Sequence, residues 1–232
     1  MNNICCAIIA AAGSSHRMQG QDKLWIPLAG RLTLARTIDV FDASPLIDGI
    51  VLVLNAERVA AAQQFCQQEG WRKIAAIIAG GQRRQDSVRL GLDALAKIAP
   101  QCRWVMIHDG ARPLVTPAML ESGLQAARQH LAAVAAVPVK DTIKRVEHDF
   151  VTATIDRSQH VAIQTPQVFS FPLIHHAHNA PEAQEDVTDD AALLERLGHR
   201  VAIFPGSYTN IKITTQEDVL IAEAFIKGAT AL

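Results

Sequence analysis

Four short segments of the chain set small residues beside fixed positive charge, the combination that phosphate chemistry needs. The first runs Ala11-Ala12-Gly13-Ser14-Ser15-His16-Arg17-Met18 and is followed by Asp22-Lys23. Small side chains let a polyanion approach the backbone, where successive N–H groups can cradle phosphates. Arg17 and Lys23 add mobile cations. The spacing is not that of a Walker A loop, and the dinucleotide fingerprint GxGxxG fails at Ser15 and Met18. Taken alone, a Gly-containing turn with surface cations accounts for the segment equally well.

The second segment is Gly80-Gly81-Gln82-Arg83-Arg84-Gln85-Asp86-Ser87. Glycines end a strand, arginines follow, and a helix opens near Ser87; a helix N-terminus beside arginines suits an anion or nucleotide. A solvated charge pair is the plainer alternative. The third is His108-Asp109-Gly110-Ala111-Arg112-Pro113. An Asp at a strand end, tight small residues and then Arg suit a Mg²⁺-phosphate partner next to a substrate-anion contact. An Asp–Arg pair bracing a turn would look the same. The fourth is Asn210-Ile211-Lys212-Ile213-Thr214, where Lys212 follows the last crossover and can reach the same cleft. Asp141-Thr142-Ile143-Lys144 and Asp156-Arg157 offer further polar groups, by themselves a solvated hairpin. His175-His176-x-His178 fits neither HExxH nor a zinc finger. Glu185-Asp186-x-x-Asp189-Asp190 precedes a helix, where acids favour the dipole.

An α/β order positions these segments. Ile4–Ala10, Gly49–Leu54, Lys73–Ala79, Arg103–His108 and Leu131–Val137 read as apolar strands without polar alternation, which suits a parallel sheet covered on both faces. Leu32–Asp42, Ala56–Glu69, Ser87–Ala96 and Thr116–His130 read as the intervening helices. Asp86 or Ser87 would cap the third of these, and Thr116 with Pro117 would start the fourth. In such sheets ligands bind at the carboxyl ends of the strands, where the four segments fall. From Val139 to Gln167 the helical period disappears and the chain reads as a hairpin or arm. The α/β order then returns, with helices near Phe171–His178 and Thr188–Leu197, a strand Val201–Phe204 and a helix Thr215–Lys227. We expect one domain over residues 1–232, with the arm at about 138–167.

Length and composition narrow the classes further. A chain of 232 residues buries roughly 70–75% of its unfolded surface, so neither disulfides nor metal are needed for folding. Lys plus Arg is 22 and Asp plus Glu is 23, a net charge of -1 that provides no overall basic field for nucleic acid or an anionic membrane. Cys5, Cys6, Cys66 and Cys102 form no CxxC pair and read as buried free thiols of a reducing cytosol. No apolar run reaches the length of a membrane span. Ile4–Ala12 lacks a preceding basic residue and reads as a buried strand rather than a signal peptide. The expected location is cytoplasmic.

Taken in order, AAGSSHRM with Lys23, GGQRRQDSV, HDGARP, PVKDTIKR, the Asp156-Arg157 pair, QTPQVF, VTDDAALLE and NIKIT resemble the 2-C-methyl-D-erythritol 4-phosphate cytidylyltransferase family of the non-mevalonate isoprenoid pathway. The resemblance spans nearly the whole chain. Ser15 stands where the family's usual GxGxRM loop has its second Gly. The resemblance implies a Rossmann-like nucleotidyltransferase fold with a protruding β-arm that interlocks two subunits. It implies that Arg17 and Lys23 contact the triphosphate and stabilise the transition state. It places the cytidine nucleotide on Ala11, Ala12 and Gly13 with Gly81, Gln82 and Ser87, and Asp109 beside Mg²⁺. Arg157 and Lys212 would position the sugar phosphate, with Thr142 and Arg112 nearby, and Thr142 and Arg157 would serve the partner subunit's site. The implied reaction joins CTP and 2-C-methyl-D-erythritol 4-phosphate with release of pyrophosphate. Alternatives are a ribitol 5-phosphate cytidylyltransferase, which needs the same nucleotide loops, and a non-catalytic nucleotide-binding module. An NAD-linked dehydrogenase is disfavoured by the broken fingerprint.

Overall fold

The computed structural model describes residues 4–13 and 22–230; Arg17, with Ser14, Ser15, His16 and Met18, lies outside the described residues. The chain enters as β1 (Cys5–Ala11), makes a small hairpin of β2 (Pro27–Leu28) and β3 (Arg31–Leu32), and continues as α1 (Thr33–Ala43) and β4 (Gly49–Leu54). There follow α2 (Val59–Glu69), β5 (Ile74–Ala79), α3 (Arg84–Ile98), β6 (Trp104–Asp109), α4 (Pro117–His130) and β7 (Ala132–Pro138). A hairpin of β8 (Ile143–Glu147) and β9 (Phe150–Ile155) precedes β10 (Val161–Ser170) and α5 (Phe171–Asn179). The chain closes with α6 (Ala191–Arg196), β11 (Ala202–Pro205) and α7 (Gln216–Thr230).

The central sheet has seven strands in the order β11-β7-β10-β6-β1-β4-β5. β1 pairs in parallel with both β4 and β6, β4 with β5, and β7 with β11; β10 runs antiparallel between β6 and β7. In β1, β4, β6 and β7 the apolar composition has the inferred cause, burial on both faces; β5, equally apolar, lies at the sheet edge and is only half-buried, with Ala75 and Ala79 exposed. Cys5, Ala7 and Ile9 of β1 join one core, while Cys6 and Ile8 join the other. All four cysteines are free and buried. Among the described residues, no helix is long and apolar enough to cross a membrane.

Two expected boundaries are corrected. Helix α3 starts at Arg84, not Ser87: Asp86 sits one turn inside and its carboxylate accepts from the Arg83 N–H at 3.2 Å. This draws Arg84 into the first turn, facing the end of β6. The arm is also shorter than its composition suggests. Only β8 and β9 stand off the sheet; Val161–Ser170 returns to it as the strand between β6 and β7. Gln164-Thr165-Pro166-Gln167, expected in the arm, lies at a register shift in that strand, with its polar side chains individually satisfied.

Candidate active site

The first loop, the end of β5 and the end of β6 converge at the carboxyl edge of the sheet. A glycine is required at one point of this convergence: a Cβ on Gly80 would lie 2.5 Å from Ala12 Cβ and 2.6 Å from Ser87 Oγ. Ser87, in the first turn of α3, accepts from the Gly81 N–H at 3.1 Å and so ties the glycine turn to the helix. Together these elements bound a cleft of ≈ 440 Å³. Ala11, Ala12, Gly13, Gly81, Gln82 and Ser87, the expected nucleotide contacts, all line it. Lys23, Asp109 and Lys212 line it as well. Lys23 is placed by a 3₁₀ turn whose Leu24 is buried and whose Asp22 carboxylate accepts from the Leu24 N–H.

A second cavity of ≈ 390 Å³ abuts the first and shares Arg84, Asp109 and Lys212 with it. Arg112 lines this second cavity, together with Gln164, Thr165, Gln167, Thr188 and Asp189. The wall between the two cavities is therefore one carboxylate gripped by cations. Arg84 Nε lies 2.9 Å from Asp109 Oδ1, Lys212 Nζ 2.8 Å from Oδ2, and Arg112 Nε 3.7 Å from Oδ2. Burial alone would push the Asp109 carboxyl up, but Arg84, Lys212 and Arg112 hold it well below the usual carboxylate range.

Several backbone contacts explain why these side chains meet. The Ile213 N–H donates to the Ala111 carbonyl at 2.8 Å, which lays the Lys212 segment along the loop after β6. Arg112 Nη1 donates to the Asn210 carbonyl at 2.8 Å, and the Thr37 hydroxyl of α1 donates to the Gly110 carbonyl at 2.9 Å. His108 anchors the base of the same loop. Its Nε2 faces the Arg112 carbonyl at 3.1 Å and its Nδ1 faces Thr165 Oγ1 at 3.0 Å. A carbonyl can only accept, so Nε2 carries the proton and Nδ1 accepts from the Thr165 hydroxyl. That hydroxyl in turn accepts from the Asp109 N–H.

Burial pushes His108 down to about 4. Its ring is neutral in the fold, and the unfolded chain binds the extra proton as pH falls below about 6.5. The contribution is complete above pH 6.5 and is lost on acidification toward pH 4, on the order of 3 kcal/mol in all. The stability advantage of wild type over His108→Gln, from urea unfolding, should thus shrink between pH 7 and 4. An advantage independent of pH would contradict the neutral, buried ring.

The remaining expectations separate cleanly. Thr142 and Arg157 are exposed on the arm and line neither cavity; the Arg157 guanidinium donates to the Lys140 carbonyl. The three histidines form no shared site: His175 Nε2 lies 3.0 Å from Asp93, while His178 turns inward to Asp190. Among the described residues, no group of three or more His, Cys, Asp or Glu could hold a metal ion. Mg²⁺ takes most of its ligands from phosphate oxygens and water, so one carboxylate beside a bound triphosphate suffices for it; Asp109 is the carboxylate at this cleft, and a bound ion would share its oxygens with Arg84 and Lys212. Residue pattern placed Arg84 in a candidate anion-binding segment without giving it a role of its own, and assigned none to Thr165 or Gln167. For Arg84 the available signal was its place one residue after Arg83, ahead of Asp86. For Thr165 and Gln167 it was a polar run flanked by strand-forming Val and Ile.

The comparisons agree with this geometry. The family model described as 2-C-methyl-D-erythritol 4-phosphate cytidylyltransferase matches residues 5–228. A protein of that name from Dehalococcoides mccartyi is 45% identical over 228 residues, covering 98% of this chain and 98% of its own. One from Geobacillus thermodenitrificans is 47% identical over 227 residues, covering 97% and 98%. The crystal structure of 4-diphosphocytidyl-2C-methyl-D-erythritol synthase from Anaerococcus prevotii superposes with a TM-score of 0.85 at 33% identity, covering 97% of this chain and 99% of that one. By the family model over residues 5–228 and by relatives matched along nearly their whole length, the chain belongs to the 2-C-methyl-D-erythritol 4-phosphate cytidylyltransferase family.

Proposed function

We infer that the chain joins CTP and 2-C-methyl-D-erythritol 4-phosphate to give 4-diphosphocytidyl-2-C-methyl-D-erythritol and pyrophosphate, a step in isoprenoid precursor biosynthesis. The observation that carries this reading is the pair of abutting cavities with a common wall of Arg84, Asp109 and Lys212. Two anionic substrates placed on either side of that wall meet at the wall itself. The sugar phosphate has a second pKa of about 6 and is already ionised at neutral pH. One of its oxygens attacks the α-phosphorus of CTP, the bond to the bridging oxygen breaks, and the electron pair leaves on pyrophosphate. No proton need be removed, and no described histidine lines either cavity.

The obstacle is repulsion between anions, so the work falls to positioning and charge. Lys23, with Arg17, neutralises the triphosphate as charge builds on the leaving group. Lys212 and Arg112 hold the attacking phosphate. Asp109 would hold Mg²⁺ together with phosphate oxygens, and the bound ion would neutralise further phosphate charge. The Asp109 carboxylate also fixes Lys212 and Arg84 in the shared wall.

Residues 1–232 act as one nucleotidyltransferase unit whose arm makes a homodimer, and the buried free thiols suit a cytoplasmic location. Support for the dimer comes from the apolar side chains that the hairpin leaves bare: Phe150 is 76% exposed and Val151 62%. Arg157 on this arm serves the partner's sugar-phosphate site. Arg157→Ala is expected to raise the KM for the sugar phosphate by roughly 10-fold or more, the scale for losing a charge-assisted contact. Mixing Arg157→Ala with Lys23→Ala protomers tests the arrangement. A mixed dimer restores one intact site if the arm acts across the interface, and activity returns on mixing. No recovery in mixed dimers would place the arm's role within its own chain.

A further inference from the structure

The charges of the shared wall continue inward to Asp190 and His178, which line neither of these two cavities. Asp190, fully buried at the start of α6, sets Oδ2 at an ion-pair distance of 2.8 Å from Arg84 Nη1 and Oδ1 3.2 Å from His178 Nε2, close charge contacts without hydrogen-bond geometry. His178 comes from the last turn of α5, and its side chain is as deeply buried. One guanidinium is thus gripped by two carboxylates on separate elements, Asp109 through Nε and Asp190 through Nη1.

Asp190 is itself held from the sheet. Gln167 Oε1 of β10 accepts from the Asp190 N–H at 3.2 Å and the Ala191 N–H at 3.3 Å. Gln167 Nε2 donates to Asp189 Oδ2 at 2.7 Å, closing the turn that starts α6. Burial would push the Asp190 carboxyl up, but Arg84 and His178 hold it below the usual range. It therefore stays an anion.

A buried ion pair adds little stability over an apolar packing of the same volume, yet it fixes geometry. Geometry is what Arg84 needs. Its side chain is 28% exposed and borders both cavities. Held only by Asp109, it could pivot about that contact toward whichever phosphate lies nearer. Held at two points, it presents one fixed face, and Asp109 is fixed with it.

We propose that Asp190 and His178 are positioning residues for cytidylyl transfer, locking Arg84 so that Arg84 and Lys212 hold Asp109 in the shared wall where the two substrate phosphates meet. The proposal rests on the cytidylyltransferase reading above. The anchoring of Arg84 can also be read without turnover.

Asp190→Asn keeps the shape and removes the charge; His178→Phe removes the polar ring beside it; His178→Gln keeps a polar group there. The readouts are kcat and KM for both substrates per titrated site, and hydrogen exchange of the Arg84 Nε–H by NMR in substrate-free protein. Asp190→Asn should lower kcat on the order of 10²-fold, the effect of a small misplacement, with little change in the KM for CTP because Arg84 still carries its charge. His178→Phe should lower kcat by roughly 10-fold, and His178→Gln should recover most of that loss. Arg84 Nε–H exchange should accelerate in the same order. A structural role alone would lower the melting temperature and the titrated fraction, leaving kcat per site and Arg84 exchange at wild-type values; that result overturns the proposal. If Asp190→Asn does not fold, the His178 pair decides on the same terms. If wild type releases no pyrophosphate, the reaction assignment fails, while Arg84 exchange still decides whether Asp190 and His178 anchor the guanidinium.

Discussion

Lys23→Ala is expected to lower kcat by roughly 10²–10³, the scale for losing one donor that acts on developing charge. The residue lines the ≈ 440 Å³ cleft, the proposed nucleotide site, from a short 3₁₀ turn. That turn is pinned by buried Leu24 and by the Asp22 carboxylate, which accepts from the Leu24 N–H; the melting temperature of the variant separates any loss of fold from loss of turnover. The nucleophile is ionised before it arrives, so a missing base cannot account for the loss. The cost should fall on charge development at the leaving pyrophosphate. It should therefore appear in kcat more than in the KM for CTP. Arg17→Ala is expected to act alike, from the sequence of the first loop. Steady-state kinetics of both variants checks this, and wild-type turnover in both would remove the loop from the chemistry.

Asp109→Asn should have an effect of similar size for a different reason. One carboxylate there holds Arg84 and Lys212 within ion-pair distance, with Arg112 slightly farther. Removing its charge leaves cations facing one another in a partly buried wall. Breaking such a group costs about 3–5 kcal/mol when fully buried, and the lower end applies because Lys212 reaches solvent. Turnover should fall by at least about 10², since the wall is lost and with it the proposed carboxylate contact to Mg²⁺. CTP affinity measured by calorimetry without divalent ions should hold or increase, because the freed cations attract the triphosphate. Weaker CTP binding with unchanged kcat would mean that Asp109 serves ground-state binding alone.

Much of this site was legible in the sequence because its parts follow directly on buried strands. The runs before Gly13 and Gly80 are apolar throughout and that before Asp109 is apolar up to His108, so their ends mark the carboxyl edge of a parallel sheet. Lys212 was reachable by the same argument. Arg84 was not, because Arg83-Arg84 reads as a loop until Asp86 is seen to accept from the Arg83 N–H and pull the helix start forward. β10 was hidden by Gln164, Thr165 and Pro166, whose polar groups look solvated in one dimension. In the fold, Gln164 Nε2 donates to the Ser207 carbonyl, Asn210 Nδ2 donates to the Thr165 carbonyl, and Thr165 Oγ1 accepts from the Asp109 N–H. Asp190 looked like a dipole acid, and only the return of α5 and α6 beside α3 brings it to Arg84. Pairings across such sequence distances depend on topology, and local pattern does not encode them.

The most direct test is pyrophosphate release from the purified protein with Mg²⁺, comparing CTP with the other nucleoside triphosphates and 2-C-methyl-D-erythritol 4-phosphate with ribitol 5-phosphate. Release that requires CTP and 2-C-methyl-D-erythritol 4-phosphate together is the predicted result. Release with ribitol 5-phosphate in its place, or none with any pair despite nucleotide binding, would contradict the assignment.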